Sequence, residues 1–223
     1  MSGDADVGTS TFTAKDSKII NNKGEIFFIT NTNTVITLEN NTITNNDSDG
    51  AFLKATTAKW GTSGSNGGNV TLNMTNQKAF GDFIIDNIST LTLAMKNGSV
   101  IVGSIDKDNQ AKNVALTMSS DSVLSLTADT YLDSLTNDDN TNTNIYSNGQ
   151  YKLYVNGKEV SINSSTYDSS TITSNTTGLA TTTSDNTNNQ TNNTIYYVIG
   201  GILLLVVVGV ISVIIVKNKK IMN

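Results

Sequence analysis

A short pattern of alternating apolar and polar residues recurs at a nearly constant interval, and this repeat constrains the fold more than any other feature. Residues 12–16 match residues 36–40 at an offset of 24. A second family of matching segments, at 70–74, 91–95 and 114–118, has offsets of 21 and 23. The alternation has the period of two that predicts a β-strand, so each segment is expected to form one strand of a repeating unit.

Two longer gaps interrupt the interval. A Gly/Ser-rich insertion at 62–68 accounts for the gap before Val70, and a polar run at 136–149 accounts for the gap before Tyr151. When both segments are treated as insertions, a period of about 23 residues remains. Such a period, built from short strands and Asn/Gly turns, is typical of a β-solenoid, in which each coil buries its apolar face by stacking on the next. The sequence therefore predicts an all-β solenoid with coils of about 21–25 residues. The competing architecture is an antiparallel sandwich, which also suits short strands and frequent turns.

The C-terminal part of the chain has the pattern of a membrane anchor. Residues 195–216 form a run of 22 residues without a charge. As a helix, this run reaches about 33 Å, enough to cross a hydrocarbon core of about 30 Å. The residues expected at the two membrane interfaces are Tyr196 and Tyr197 on the outer side and Lys217, Lys219 and Lys220 on the inner side. The positive-inside rule then predicts a single-pass cell-membrane protein in contact with lipid, with its N-terminal domain outside and its C-terminus in the cytoplasm.

Four segments follow from these patterns. Residues 1–162 are predicted to form the solenoid ectodomain, and residues 195–216 the transmembrane helix, followed by a cytoplasmic tail at 217–223. Residues 163–194 are almost entirely Ser, Thr, Asn and Asp, which predicts a disordered linker because so little apolar surface can be buried. Residues 1–10 lack the pattern of a signal peptide, which a surface protein needs. We therefore expect the ectodomain to be the C-terminal coils of a longer domain.

The composition disfavours several classes of function. The chain has neither Cys nor His, and all 14 of its basic residues are Lys. Thiolate metal sites and His-activated nucleophiles are therefore excluded, and a net charge of −5 without Arg argues against nucleic acid as a partner. Asp82 and Asp86 flank a predicted strand at 83–85, but four residues along a strand span about 13 Å, too far for either glycosidase geometry. The sequence therefore predicts a protein that is not an enzyme.

Trp60 is the candidate carbohydrate-binding residue. It is the only Trp of the chain and lies beside the glycine-rich insertion instead of within a predicted strand. An aromatic plane in such a loop can stack on a sugar ring. The alternative is that the side chain of Trp60 folds back, covers the coil surface and anchors the loop.

Three pairs of Asp on predicted turns are candidate ligands for Ca²⁺, which binds six to eight oxygen atoms. The pairs are Asp47 and Asp49, Asp106 and Asp108, and Asp138 and Asp139. None of them completes an EF-hand or the glycine-rich nonapeptide of Ca²⁺-binding solenoids. The alternative is that they are solvated turn residues, so we expect no required cofactor and keep Ca²⁺ as the candidate metal.

Four segments carry a resemblance to a known group of proteins. Residues 3–10, the strand at 35–41, the loop at 60–68 and the closing segment at 151–157 resemble microbial surface proteins described as carbohydrate-binding or adhesin-like. The resemblance covers roughly residues 3–160 and implies a right-handed parallel β-helix, extracellular display and binding of polysaccharide assisted by Ca²⁺.

Together, the repeat, the anchor and the resemblance predict a membrane-anchored surface protein without catalytic activity. It is expected to bind extracellular polysaccharide or to adhere to the surface of a host or neighbouring cell. A purely structural surface stalk and a polysaccharide lyase are the two alternatives. A lyase needs a strong base, often Arg or Lys, beside acids that bind a metal, and this chain has no Arg.

Overall fold

The computed structural model describes residues 9–171, together with two short strands at Val198–Ile199 and Ile202–Leu203. The chain divides into two compact units, Met1–Ala180 and Thr181–Asn223. In the first unit the strands are β1 (Thr9–Lys15), β2 (Lys18–Asn21), β3 (Phe27–Ile29), β4 (Thr32–Glu39), β5 (Thr42–Asn45), β6 (Leu53–Ala55), β7 (Gly68–Thr75), β8 (Lys78–Phe80), β9 (Phe83–Ile85), β10 (Thr90–Lys96), β11 (Val100–Gly103), β12 (Asn113–Met118), β13 (Val123–Leu126), β14 (Thr130–Leu132), β15 (Ser134–Asn137), β16 (Ile145–Tyr146), β17 (Leu153–Val155) and β18 (Lys158–Val160). A 3-10 helix at Ser169–Thr171 follows them.

These strands build a three-sided parallel solenoid of about six turns. The first side is a six-stranded sheet in the order β1-β4-β7-β10-β12-β15. The second side consists of β2-β5 and then β8-β11-β13-β16, and the third consists of β3-β6-β9 and then β14-β17-β18. Every pairing between successive coils among these strands is parallel, and only the hairpin of β17 and β18 is antiparallel. The predicted solenoid is therefore confirmed, and the antiparallel sandwich is wrong.

The register of the first side follows the sequence repeat. Phe12 pairs with Ile36, and Leu91 pairs with Val70 on one side and Val114 on the other. Because alternate residues of a strand point to opposite faces, one residue in two enters the interior. Two interior ladders result, one of Ile36, Leu72, Leu93 and Leu116 and one of Leu38, Met74, Met95 and Met118, and all eight side chains are buried. Stacking of like side chains from coil to coil thus forms the core.

Asparagine or aspartate stacks at the corner that follows each of the first four first-side strands, β1, β4, β7 and β10. Asn40, Asn76 and Asn97 have positive φ angles of 52°, 45° and 54°, and Asp16 has the same backbone conformation with φ 48°. Asn and Asp tolerate this left-handed conformation better than most residues because their short side chains bond locally. The amide of Asn40 donates to Asp16 Oδ1 at 2.7 Å, and that of Asn76 donates to Asn40 Oδ1 at 3.2 Å. Side-chain hydrogen bonds therefore join the first three of these corners from coil to coil, just as apolar contacts join the core.

One of the two predicted insertions is an insertion, and the other is not. The chain between β6 and β7 does contain extra residues, 56–67. The polar run 136–149, in contrast, belongs to the sixth coil, because Leu135 pairs with Leu116 and Asn137 with Met118. Interior amides replace apolar side chains here, with Asn137 Nδ2 donating to Asn144 Oδ1 at 2.7 Å. Hydrogen-bonded amides can line this last coil without the burial cost of unpaired polar groups.

The C-terminal predictions fall largely outside the described residues. Ordered contacts continue past residue 162, since Asn163 forms a parallel bridge with Tyr146 and Tyr167 packs on the ring of Tyr146. Residues 172–194 of the predicted linker lie outside the described part of the chain. Within 195–216 the structure describes only β19 (Val198–Ile199) and β20 (Ile202–Leu203), which pair antiparallel. Among the described residues, no helix is long and apolar enough to cross a membrane, and the predicted transmembrane helix stays a prediction.

Candidate functional site

The third side of the column carries a groove where the fourth coil lacks a strand. Ile105 takes the place of that strand through a single parallel bridge to Phe83. Its carbonyl oxygen accepts a hydrogen bond from the Tyr131 N–H at 3.1 Å, so the third side remains continuous. After Ile105 the chain turns outward through residues 106–111 and leaves a cavity on either side. The third-side groove is defined here as these two cavities and the segment between them.

The cavity next to β14 and β17, called the lower cavity, has a volume of about 100 Å³. Two tyrosine rings form one of its walls. Tyr131 of β14 pairs in register with Tyr154 of β17. Thr130 and Leu132 are buried, and alternation along the strand turns Tyr131 outward between them. The two rings stack with their centroids 4.8 Å apart and their planes within 7° of parallel. They therefore form a small stack of two aromatic rings on the outside of the column, in which the two facing ring surfaces cover each other.

Polar groups surround the tyrosine pair. The lower cavity is also lined by Asp106, Asn109, Asp133 and Asn156. Partial burial and the carboxylate of Asp129 raise the pKa of Tyr131, so its phenol is a neutral hydrogen-bond donor near neutral pH. The groove thus combines a stacked pair of aromatic rings with a rim of oxygen and amide groups.

Asp106 fixes the shape of the segment between the two cavities. It is buried and has a positive φ of 49°. Its two carboxylate oxygens accept hydrogen bonds from the backbone N–H groups of Gln110 at 2.8 Å and Ala111 at 3.1 Å. Burial nevertheless raises the pKa of Asp106, and the carboxylates of Asp133 and Asp108 add to this effect. The carboxylate of Asp106 therefore closes the loop that separates the cavities.

The upper cavity has a volume of about 300 Å³ and lies between β9 and the outward turn. It is lined by apolar residues, including Ile84, and by Asp86, Lys107 and Asp108. Asp86 accepts hydrogen bonds from the Thr57 N–H and the Ser89 hydroxyl, both at 2.6 Å. Lys107 reaches away to form an ion pair with Asp82 at 3.2 Å. Of the acidic residues that line this cavity, Asp86 thus holds the neighbouring loops, while Asp108 is exposed.

The carboxylates of Asp82 and Asp86 are engaged with separate partners. Asp82 accepts hydrogen bonds from the Ser104 N–H at 3.1 Å and from Lys107. Burial opposes ionisation of Asp82, but the hydrogen bonds from Ser104 and Lys107 outweigh it and lower the pKa of this carboxyl. Asp82 thus stays ionised and structural near neutral pH.

Trp60 lies in the 56–67 insertion and lines neither cavity of the groove. The amide of the buried Asn66 fastens the loop by donating to the carbonyl oxygens of Ala58 and Trp60, each at 2.9 Å. The Trp60 side chain remains about half exposed, at 47%. Its predicted contact with sugar stays a prediction, at a place on the surface separate from the groove residues.

One Asp of each candidate pair closes a turn in the structure: Asp47, Asp106 and Asp139. Asp47 accepts hydrogen bonds from the N–H groups of Gly24 at 2.7 Å and Asp49 at 3.1 Å, which ties the second coil to the first. Asp139 accepts hydrogen bonds from the hydroxyls of Thr141 and Thr143, and these lower its pKa. The other member of each pair is exposed: Asp49, Asp108 and Asp138.

Calcium binding at these pairs stays a prediction. Within the part of the chain that the structure describes, no three His, Cys, Asp or Glu side chains form a group that could hold a metal ion. The predicted membrane-interface residues, Tyr196, Tyr197, Lys217, Lys219 and Lys220, lie outside the described residues.

The tyrosine pair of the groove was missed by the sequence reasoning above. Tyr131 and Tyr154 are 23 residues apart, which is the period of the repeat itself. Both stand next to a Leu that points inward, Leu132 and Leu153. The same interval, followed around the coil to the third side, aligns the two rings in the sequence.

Comparisons with models of protein families, with curated proteins and with solved structures return no significant match to this chain. The resemblance to microbial carbohydrate-binding or adhesin-like proteins therefore stays an expectation, and what is established is a parallel β-solenoid of about six turns.

Proposed function

We propose that this chain is a membrane-anchored surface protein whose right-handed β-solenoid binds polysaccharide in the third-side groove, without catalysing a reaction. The observation that carries the proposal is the parallel stack of Tyr131 and Tyr154 beside a polar rim. A sugar ring has an apolar face of C–H groups and an equator of hydroxyls. An aromatic ring suits the first, and carboxylate and amide groups suit the second.

The shape and charge of the groove favour a neutral polymer. Its cavities adjoin each other along the column and share Asp106. A chain of sugars can therefore contact both cavities, while a single small molecule would leave most of the groove empty. The rim carries Asp106, Asp108 and Asp133, and the whole chain has a net charge of −5. An acidic polysaccharide would be repelled by these carboxylates, so neutral or amino-bearing sugars are the expected ligands.

The test of binding uses the full chain in detergent or nanodiscs and a panel of immobilised polysaccharides. Tyr131→Ala and Tyr154→Ala, singly and together, are compared with Tyr146→Ala, which alters the ring pair of Tyr146 and Tyr167 at 5.0 Å elsewhere on the column. Removal of a ring contact that contributes about 1.4 kcal/mol to the binding free energy weakens affinity, and so retention, about tenfold. We expect that loss in the groove variants and none in the Tyr146 variant, with folding verified by circular dichroism. Equal retention by all variants would contradict the proposal.

The alternatives give different results in the same assay. A purely structural stalk retains no polysaccharide in any variant. A polysaccharide lyase releases unsaturated products that absorb in the ultraviolet, and these would accumulate over time with the wild-type protein.

Membrane anchoring rests on the uncharged run at 195–216 followed by Lys217. The proposed anchor predicts that the full chain stays with membranes after alkaline carbonate extraction, whereas a chain without residues 195–223 is released. Release of the full chain under these conditions would refute the anchor without affecting the groove.

A further inference from the structure

The lower cavity of the third-side groove is surrounded by negative charge. Asp106 and Asp133 line it, and no Lys is among its lining residues. Burial raises the pKa of Tyr131, and the carboxylates of Asp129 and Asp106 add to this effect. Burial likewise raises the pKa of Asp106, with the carboxylates of Asp133 and Asp108 adding to it. Four carboxylates therefore contribute to the electrostatic potential in and around one cavity of about 100 Å³.

The lysines near this cavity have other partners or point elsewhere. Lys107 forms its ion pair with Asp82 at 3.2 Å. Lys152 pairs with Glu159 at 2.8 Å. Two more lysines follow lining residues directly in the sequence but line neither cavity, namely Lys112 and Lys158. Among the described residues, the carboxylates that line the lower cavity therefore have no ion-pair partner.

One face of the Tyr131 ring is directed into the lower cavity. Tyr154 of the following coil covers the opposite face, with the ring centroids 4.8 Å apart and the planes within 7° of parallel. This separation matches the spacing of neighbouring strands, so the two rings stack along the column axis. The uncovered face of Tyr131 is thus turned toward the preceding coil, from which Asp106 and Asn109 line the cavity. A cation placed over such a face is attracted by the quadrupole of the ring.

We propose that the lower cavity binds the protonated amino group of an amino-sugar polymer, with the ammonium over the uncovered face of Tyr131 and beside the carboxylates of Asp106 and Asp133. This ligand class rests on the polysaccharide binding proposed above, from which it selects the amino-bearing sugars over the neutral ones. The ring face and the carboxylates both attract a positive charge. Acetylation of the same nitrogen removes the charge and with it both attractions.

The spread of the carboxylates suits an organic cation. In the part of the chain that the structure describes, no three His, Cys, Asp or Glu side chains form a group that could hold a metal ion. An ammonium group does not require such close convergence, because it also interacts with charges several ångströms away. The amides of Asn109 and Asn156 line the cavity as well and are suitable partners for the hydroxyls of the same sugar ring. They favour an amino sugar over the lysine side chain of a basic peptide.

Two oligosaccharides that differ in charge test this preference with the full chain in detergent. The probes are an oligomer of glucosamine and its fully N-acetylated counterpart, titrated in mildly acidic buffer in which the free amines are protonated. We expect the wild type to bind the glucosamine oligomer about tenfold more tightly than the acetylated one. Added salt should reduce this difference, because it screens the attraction between the ammonium and the carboxylates.

Variants of the charge and of the ring locate the preference in the lower cavity. Asp133→Asn removes the charge and keeps an oxygen that can accept the hydrogen bond from the Val114 N–H, at 2.6 Å in the wild type. Asp138→Asn makes the same charge change at an exposed residue that lines neither cavity, and is the matched control. We expect Asp133→Asn to weaken binding of the glucosamine oligomer about fivefold, and the control to leave it unchanged. Tyr131→Phe should keep the preference and Tyr131→Leu should abolish it, because only Phe retains an aromatic face.

The results separate the amino-sugar preference from polysaccharide binding itself. Equal binding of the two oligomers by the wild type would overturn the preference, while retention of neutral polysaccharides in the groove would stand. Equal effects of Asp133→Asn and Asp138→Asn would overturn the lower cavity as the site, since net charge alone would then explain the preference. Tighter binding of a lysine homopolymer that depends on Tyr131 would identify a basic peptide as the partner and overturn the proposal as well. If no polysaccharide is retained at all, the proposed function itself fails.

Discussion

Replacement of Gln77 is expected to destabilise the column strongly. It lies at the corner between β7 and β8 and is fully buried. Its Oε1 accepts hydrogen bonds from the Asn41 N–H at 2.9 Å and from Asn41 Nδ2 at 3.0 Å. Its Nε2 donates to the carbonyl oxygens of Asn41 at 3.0 Å and Lys78 at 2.9 Å. This one side chain therefore joins the third coil to the second through three hydrogen bonds to Asn41, and its fourth hydrogen bond is local, to the carbonyl of Lys78.

The Gln77→Ala change removes all four bonds and leaves their partners behind. The N–H and C=O groups of Asn41 would remain buried without partners, and each such group costs about 1–3 kcal/mol. We therefore expect Gln77→Ala to lower the free energy of unfolding by about 2–5 kcal/mol, within a total stability of about 5–15 kcal/mol. Lys78→Ala, next to it and partly exposed, is the control and should change the stability by less than about 0.5 kcal/mol.

The assay is urea denaturation of the full chain, followed by circular dichroism for the whole column and by fluorescence of Trp60. If the two probes show the same transition, unfolding can be described by a single free energy. This must be checked, because a protein of stacked coils can unfold in parts. A double-mutant cycle with Asn41→Ala should give a coupling energy of about 0.5–3 kcal/mol, because the two side chains are in contact. If Gln77→Ala were no more destabilising than Lys78→Ala, the bonds at this corner would not stabilise the column and the reasoning would be refuted.

Three further predictions concern pH, the exposed tryptophan and metal. Hydrogen bonds from Ser104 and Lys107 outweigh burial and lower the pKa of Asp82. The ionised Asp82 therefore stabilises the fold above the unfolded pKa of about 3.9, and this stabilisation is lost as pH falls through the lower folded pKa. Asp82→Asn should thus lower Tm at pH 7 and converge with the wild type in acid; a pH-independent difference would contradict this. Trp60→Ala should change Tm by less than about 4 °C, since the ring is half exposed. Reduced retention on polysaccharide in this variant would show a sugar contact outside the groove, whereas loss of folding would show that the ring anchors the loop. Chelator should leave Tm unchanged, because carboxylates such as Asp139 already accept protein hydrogen bonds, and a lower Tm in chelator would support the Ca²⁺ hypothesis.

The sequence was sufficient to predict the coil stacking because the interior of a solenoid repeats residue by residue. Leu91 and Val114 are paired in the structure as their offset predicts. The strand of the sixth coil was not predicted, because the apolar pattern is interrupted there. Asn137 takes the place that Met118 holds one coil earlier, and a pattern of apolar residues does not reveal an interior position filled by a hydrogen-bonded amide.

The candidate site was harder to predict than the fold. Trp60 was selected for its type and its glycine-rich surroundings, which are visible in a linear sequence. The stack of Tyr131 and Tyr154 depends on which side of the coil each residue occupies and on the missing strand at Ile105. Both features arise from three-dimensional pairing between coils, so local composition carries no sign of them.

The insertion at 56–67 shows how such a column can vary. Although these residues separate β6 from β7, Ile36 still meets Leu72 and Leu38 still meets Met74 on the next coil. Each coil contacts only its neighbours, so a corner can lengthen while the interior keeps its registry. Evolution can therefore rewrite the corner loops, and with them what the surface recognises, one at a time and without redesigning the framework.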